Sequence, residues 1–172
     1  MAASELVDVV DADDRVIGRA TRAEMRAQKL RHRATYILVF NPRGQLFVHQ
    51  RTATKDVYPS YYDVAVGGVV EAGETYDAGA QRELAEELGI HSGTPPRPIL
   101  AFQYEDADNR VNGRVYSYAH DGPLALQREE IAAGEWLDLD VVIDRVRQLP
   151  FCPDGVEALL RYLDRLASVS KE

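Results

Sequence analysis

Gly68-Val-Val-Glu-Ala-Gly-Glu74-Thr-Tyr-Asp-Ala-Gly-Ala-Gln-Arg82-Glu83-Leu84-Ala-Glu86-Glu87-Leu88-Gly89-Ile90 packs a glycine-rich turn and an acidic helix into one short stretch. Ala72 to Thr75 is turn-like, and Thr75 is placed to cap a helix N-terminus. The helix then runs to Leu88, and Gly89 suits the left-handed residue that ends it. Glu83, Glu86 and Glu87 are spaced i, i+3, i+4, so three carboxylates share one face. Like charges at that spacing repel unless something neutralises them. A hard divalent cation with oxygen ligands does so. Leu84 and Leu88 form a separate apolar stripe that anchors the helix to a sheet. Arg82 reaches back toward Glu74 and fixes the preceding loop. The glycines let that loop turn sharply and bring backbone carbonyls near a metal.

Composition agrees with a folded domain. The chain has 172 residues, 45% hydrophobic and 28% charged, which suits one domain with its own core. We expect a single domain over 1–172, with an ordered core of about residues 5–168. No apolar run reaches the roughly 18 residues of a membrane helix, and the acidic N-terminus has no signal-peptide core. Cys152 is the sole cysteine, so no internal disulfide is available. A cytoplasmic location and no membrane partner are expected. The net charge of −8 argues against nucleic-acid binding, which needs a basic face. It also sets anion against anion if the substrate is a phosphate, a conflict that bound cations resolve.

Outward from the acidic helix, residues 5–20 read as a hairpin turning at Asp11 to Asp14. Residues 21–31 read as a short helix or loop. Ala34 to Phe40 and Gln45 to Gln50 are strands around an Asn41-Pro42-Arg43-Gly44 turn. Residues 51–62 are loop, and a buried strand is expected from Asp63 to Val66. Residues 91–97 are loop. Strands follow at Pro98 to Tyr104, Arg114 to Ala119 and Glu135 to Leu137. Helices are expected over Asp138 to Gln148 and Asp154 to Leu166, with Cys152 in a loop between prolines. The sum is α/β (α+β): an α/β/α sandwich with a mixed sheet and an N-terminal β-hairpin.

The stretch 68–90 matches, without gap, Gly, five residues, Glu, seven residues, Arg-Glu-apolar-any-Glu-Glu-any-Gly-apolar. At ordinary residue frequencies a chance match anywhere in this chain is on the order of one in ten million. This is the signature of the Nudix superfamily, which the chain resembles. The resemblance implies a hydrolase cleaving a diphosphate linkage in a nucleoside diphosphate or related compound, with Mg2+ or Mn2+. It makes Glu83, Glu86 and Glu87 metal ligands, with the Gly68 carbonyl assisting. Glu86 also helps to activate water, while Arg82 and Glu74 orient the loop. The general base can instead lie in a distant loop, where Glu129 and Glu130 are candidates. Bound metals neutralise the diphosphate, stabilise the charge of displacement and acidify a water.

Leu30 to Ala34, Asn41 to Leu46 and Arg51-Thr-Ala-Thr-Lys55-Asp-Val-Tyr-Pro59 resemble the isopentenyl-diphosphate isomerase branch of that superfamily. The resemblance gives Arg51 and Lys55 the substrate's diphosphate, Arg by bidentate hydrogen bonds and Lys as a point charge. The isomerase chemistry does not follow. Its catalytic cysteine and a metal-binding histidine fall at Gly67 and Val69, and an earlier metal-binding histidine falls at Met25. Only His32 survives. The competing functions are therefore a hydrolase, a non-catalytic nucleotide-sensing module and, least of all, the isomerase. The expected partner is a small diphosphate compound, and the chain is a monomer or homodimer. Tyr58, Tyr61, Tyr62, Phe102 and Tyr104 could stack on a base or fill the core.

Overall fold

Strand β3 (His32–Phe40) is the axis of the molecule, described here from a computed structural model that covers residues 3–171. Residues 1, 2 and 172 lie outside the described residues. β3 is hydrophobic without interruption from Tyr36 to Phe40, because both of its faces are covered. Tyr36 and Leu38 point into one core with Leu46 and Val48, and Ile37 and Val39 point into another with Phe47. This is the period of two expected of a strand, with helices on both sides.

β3 pairs in parallel with β7 (Arg110–Ala119), from His32 opposite Val111 to Phe40 opposite Ala119. β7 pairs antiparallel with β6 (Arg97–Glu105). β4 (Leu46–Arg51) follows the Asn41–Gly44 turn and pairs antiparallel with β8 (Ile131–Leu137) and the short β5 (Tyr62–Asp63). The hairpin of β1 (Leu6–Val10) and β2 (Val16–Thr21) joins β3 at Val9 opposite His32. The mixed sheet and the N-terminal hairpin are therefore as expected.

Helix α1 (Arg22–Gln28) starts in a capping box between Thr21 and Glu24. Helix α2 (Tyr76–Leu88) covers one face of the sheet through Ala80, Leu84 and Leu88. Helices α3 (Leu139–Val146) and α4 (Pro153–Val169) cover the other through Val142, Ala158 and Leu159. Burying one leucine side chain contributes about 1.5–3 kcal/mol.

Several sequence-based expectations need correction. The strand expected from Asp63 to Val66 is broken: β5 ends at Asp63, and the chain touches β3 again only at Val66 opposite Ile37 and Val69 opposite Ala34. Gly67, at φ 141°, lies between those two bridges and bends the chain. β7 begins at Arg110, four residues early, because Gly113 packs beneath the Phe102 and Tyr36 rings, where a Cβ would come within 2.5 Å of Phe102. β8 begins at Ile131 for a similar reason, with Gly134 under Phe47. Cys152 does lie in the short connection before α4, as expected, and is buried there at the helix N-cap.

Candidate active site

The loop leading into α2 is buckled onto the helix by one side chain. Arg82 grips the Glu74 carboxylate with two hydrogen bonds, Nε to Oε1 and Nη2 to Oε2, both 2.9 Å. Nη2 also donates to the Val69 carbonyl at 3.2 Å. Nη1 donates to Glu83 Oε1 at 2.8 Å and to Glu86 Oε2 at 3.3 Å. Glu74 Oε2 in turn accepts the Glu71 amide at 3.0 Å. This fork geometry is open to arginine and closed to lysine. Thr75 caps the helix by accepting from the Ala78 amide at 3.1 Å, and Gly89 ends it at φ 66°. The predicted brace of Arg82 and Glu74 is thus present, beside the acidic pocket rather than lining it.

That pocket is lined by Gly68, Glu83, Glu86, Glu87 and Glu130, with Lys55 and Arg22 at its edge. The face predicted from i, i+3, i+4 spacing does converge there, but its members differ. Glu83 and Glu87 are buried, while the Glu86 side chain is 46% exposed. A Cβ on Gly68 would lie 2.8 Å from Glu83 Oε1, so only glycine lets the backbone come this close. The Gly68 carbonyl accepts the Thr35 amide at 2.9 Å and, more loosely, the Thr35 hydroxyl at 3.5 Å. Burial pushes the Glu83 carboxyl up to about 7, with Glu86 adding to the rise and Arg82 opposing it. Burial likewise drives Glu87 well above the usual carboxylate range; Glu83 and Glu130 add to it, and Lys55 and Arg51 oppose it.

The Glu87 carboxylate makes no hydrogen bond or ion pair among the described residues, although its backbone carbonyl accepts the Gln127 amide at 2.9 Å. A buried carboxyl with no donor is costly, and a divalent cation would supply what it lacks. The residues therefore fit a hard cation with oxygen ligands. They are not drawn into a closed cage, since no group of three or more His, Cys, Asp or Glu among the described residues surrounds a common point.

Of the two distant base candidates, the structure brings only one to this pocket. Glu129 is exposed, with its backbone carbonyl accepting the Thr52 hydroxyl at 2.9 Å. Glu130 lines the pocket and is paired with Lys55. Burial raises its carboxyl, and Lys55 more than offsets this, holding it below its ordinary range.

A second cleft of about 70 Å³ adjoins the acidic pocket, sharing Arg22, Lys55, Gly67 and Gly68 with it. Arg51 lines this cleft. Its Nη2 donates to the Val57 carbonyl at 2.9 Å, and its buried Nε–H finds no acceptor. Both predicted diphosphate-binding cations thus stand beside the acidic pocket. Four polar lining residues of this cleft were missed from sequence: Tyr36, Asp63, Asn109 and Asp154. Asp154 Oδ2 accepts from the Tyr36 hydroxyl at 2.8 Å and from Asn109 Nδ2 at 3.2 Å. A lone aspartate opening an apolar run at 63–66 was the one available signal.

Three of the five aromatic residues considered for base stacking are committed elsewhere. Tyr62 packs on Phe151 and Tyr104 donates to Asp106 at 3.0 Å, while Phe102 meets Tyr36 edge-on. Tyr58 alone among them lines the cleft. Met25 and Val69, where the isomerase resemblance calls for metal-binding histidines, are buried together in an apolar cluster with Val7 and Ala20.

A mixed sheet between helices, with an arginine-buckled loop feeding an acidic helix, defines the Nudix fold class. The chain belongs to the Nudix family: the NUDIX domain model matches residues 30–155. An uncharacterized Nudix hydrolase of Pseudomonas aeruginosa is 44% identical over 161 residues, covering 94% of this chain and 95% of that one. The uncharacterized Nudix hydrolase YfcD of Escherichia coli K12 is 42% identical over 167 residues, covering 97% and 91%. A crystal structure of a Deinococcus radiodurans protein superimposes with TM-score 0.80 at 29% identity, covering 91% of this chain and 98% of that one. Among the described residues, no helix is long and apolar enough to cross a membrane.

Proposed function

We propose that this chain hydrolyses a phosphoric anhydride in a nucleoside diphosphate or related small diphosphate compound, with Mg2+ or Mn2+ as cofactor. One observation carries the reading: Glu87 has a buried carboxylate without a partner, beside a second buried carboxylate, Glu83, in a pocket adjoining a cleft lined by Arg51 and Lys55. Glu83, Glu86 and Glu87 would hold the cation, with the Gly68 carbonyl adding an oxygen. When bound, the cation would neutralise the diphosphate and acidify a water. Arg51 and Lys55 would grip the diphosphate and position it against that face. Arg82 and Glu74 are positioning residues that keep the loop carrying Gly68 against the helix. Glu86, the exposed member of the face, or Glu130 would accept the proton of the attacking water.

The apolar packing of Met25 and Val69 supports hydrolysis over alkene isomerisation, as does Gly67 where a thiol would be needed. The substrate is a small molecule, with no nucleic acid or membrane as partner; the protein works in the cytoplasm as a monomer or homodimer. The test is a screen of nucleoside diphosphates, dinucleotides, nucleotide sugars and coenzyme A esters with Mg2+ and with Mn2+. Metal-dependent release of a monophosphate or phosphate is expected. No turnover of any compound at high enzyme concentration with either metal would overturn the proposal, and a Glu87→Gln protein with full biological function would favour the nucleotide-sensing module.

A further inference from the structure

We propose that the N-terminal hairpin of β1 and β2 is a second clamp on the loop that carries Gly68, independent of Arg82, and that Asp8 is a positioning residue for the cation site. This role rests on the hydrolase reading of the acidic pocket and adds a residue which that reading does not use.

Each backbone amide of the turn 71–74 has an acceptor. The Glu71 amide donates to Glu74 Oε2 and the Glu74 amide to the Glu71 carbonyl, both at 3.0 Å and both within the turn. The two amides between them are supplied by β1. Ala72 donates to the Leu6 carbonyl at 2.9 Å, and Gly73 donates to Asp8 Oδ2 at 2.9 Å. β1 meets β3 only at Val9 opposite His32, so Leu6 and Asp8 have no β3 partner. Asp8 is buried, and its other oxygen, Oδ1, accepts Arg19 Nε of β2 at 2.9 Å. A donor on each oxygen fixes the plane of the carboxylate. Burial raises the Asp8 carboxyl, but the Gly73 amide and Arg19 more than offset this and hold it below its ordinary range. Aspartate is a poor strand former, so the loop amide explains its place in β1 better than propensity does. Two more contacts tie the hairpin to the same segment. Val7 packs with Val69, next to Gly68. At the hairpin turn Asp14 Oδ1 accepts the hydroxyl of Tyr76, the first residue of α2, at 3.0 Å, while Arg33 Nε at 2.9 Å and Asn112 Nδ2 at 3.2 Å hold Asp14 to β3 and β7. All of these hairpin residues lie N-terminal to the matched NUDIX domain.

With the hairpin clamp released, Arg82 still holds Glu74 at the end of the loop, but the part from Gly68 to Gly73 is free to shift. The Gly68 carbonyl then leaves the place where it would serve a cation. Arg51 and Lys55 stand on other elements and keep their grip on a diphosphate, so the loss should fall on metal affinity and kcat rather than on KM. Partners that hold metal ligands in place are worth about 10–100-fold. Asp8 acts through the loop and not on a ligand directly, which puts it at the low end, about tenfold.

The closing experiment compares the full chain with Asp8→Ala, Asp8→Asn, and Asp8→Asn combined with Arg19→Met. Val142→Ala, in the core on the other face of the sheet, is the control for lost stability alone. Nuclear magnetic resonance without metal or substrate comes first. In Asp8→Ala the Gly73 amide should exchange about 10–100-fold faster, with the amides of β1 and β2 as in the parent. The Thr35 amide, which donates to the Gly68 carbonyl, should change its resonance frequency. Next, Mn2+ alone is titrated and followed by paramagnetic resonance; its Kd should rise about tenfold. With Mg2+ and the best substrate, kcat should fall about tenfold while KM stays within about twofold. Asp8→Asn, nearly isosteric, has one oxygen for two partners and should lose part of the Mn2+ affinity. Adding Arg19→Met frees that oxygen for Gly73 and should restore most of it, which keeps the test intact if Asp8→Ala does not fold. Val142→Ala should melt lower and leave every other readout unmoved. An Asp8→Ala protein that merely melts lower, with the parent's Mn2+ affinity and Thr35 frequency, would overturn the proposal, as would unchanged exchange at Gly73. A parent that binds Mn2+ but hydrolyses nothing would sink the hydrolase reading alone, and the exchange and Mn2+ measurements would still decide the clamp. A parent that binds no Mn2+ would overturn both.

Discussion

Replacing Arg82 by methionine keeps most of the aliphatic stem and removes the fork. Arg82 makes four charge-assisted hydrogen bonds to Glu74, Glu83 and Glu86 and one more to the Val69 carbonyl. Its side chain is 19% exposed, Glu74 is 15% and Glu83 5%, so solvent screens these pairs only weakly. Removing one member of a buried pair costs about 3–5 kcal/mol, because the partner is left charged and unpaired. The partial exposure favours the low end, about 3 kcal/mol. A chain of this size loses about 2–4 °C of Tm per kcal/mol, so Arg82→Met should melt about 6–12 °C below the parent. Arg82→Lys restores the charge without the bidentate geometry and should recover about half of the loss. The assay is thermal unfolding by circular dichroism with a chelator present. A double-mutant cycle with Glu74→Gln should give a coupling of about 1.5–3 kcal/mol. The loop that carries Gly68 would lose its buckle, so kcat should also fall by about 10–100-fold. A melting temperature within about 2 °C of the parent, or a lysine variant matching the parent in both stability and kcat, would refute the brace.

Other expectations follow from the same geometry. Glu87→Gln should lower kcat by at least about 100-fold while the protein melts no lower than the parent without metal, since a buried acid has been replaced by an amide of the same shape. A lower melting point without metal would place Glu87 in a supporting hydrogen bond instead. Arg51→Lys should raise KM about tenfold with kcat little changed; a loss confined to kcat would move Arg51 from binding to chemistry. Burial, with Arg51 and Lys55 nearby, lowers the His49 pKa from 6.5 to about 3. The unfolded chain therefore binds the proton more readily, so stability is full above pH 6.5 and is lost as pH falls toward 3. Between pH 7.5 and pH 5 this costs about 2 kcal/mol. Urea unfolding of His49→Leu at the two pH values should show a loss smaller by about that amount, and an unchanged difference would contradict the burial argument. His32, also lowered to about 3, keeps its own share of the acid sensitivity in that variant.

Local chemistry was readable wherever sequence neighbours decide the outcome. Thr75 and Gly89 bound helix α2, Asn41 to Gly44 turn the chain between β3 and β4, and Arg82 reaches Glu74 across eight positions of one loop and helix. What escaped depends on partners far away in the chain. Asn112-Gly113 and Ala132-Ala133-Gly134 carry no strand-like alternation. They are strands because β3 and β4 offer edges and because Phe102 and Phe47 need the room a glycine leaves. The break after Asp63 is invisible in an apolar run, because it follows from the bend at Gly67 that brings Gly68 against Glu83. The second cleft joins Asp63 to Asp154, ninety-one positions apart, and Asp154 reads from sequence as an ordinary acidic residue in the first turn of a helix.

The same helix must hold charges that oppose its folding, and its two faces show how. Ala80, Leu84 and Leu88 sink into the sheet, and the two leucines contribute about 3–6 kcal/mol together. Against this stand two buried carboxyls whose ionised forms are disfavoured. Arg82 offsets part of that cost for Glu83 and leaves Glu87 uncompensated. A fold selected for stability alone would have an amide or an apolar residue at 87, because an unpaired buried acid adds nothing to the core. Glu87 is therefore the residue whose presence is hardest to explain by packing and simplest to explain by a cation. Arg82 sharpens the point from the other side. It donates to one oxygen each of Glu83 and Glu86 and to neither oxygen of Glu87, so in the proposed cation site Glu87 is the carboxylate with both oxygens unclaimed.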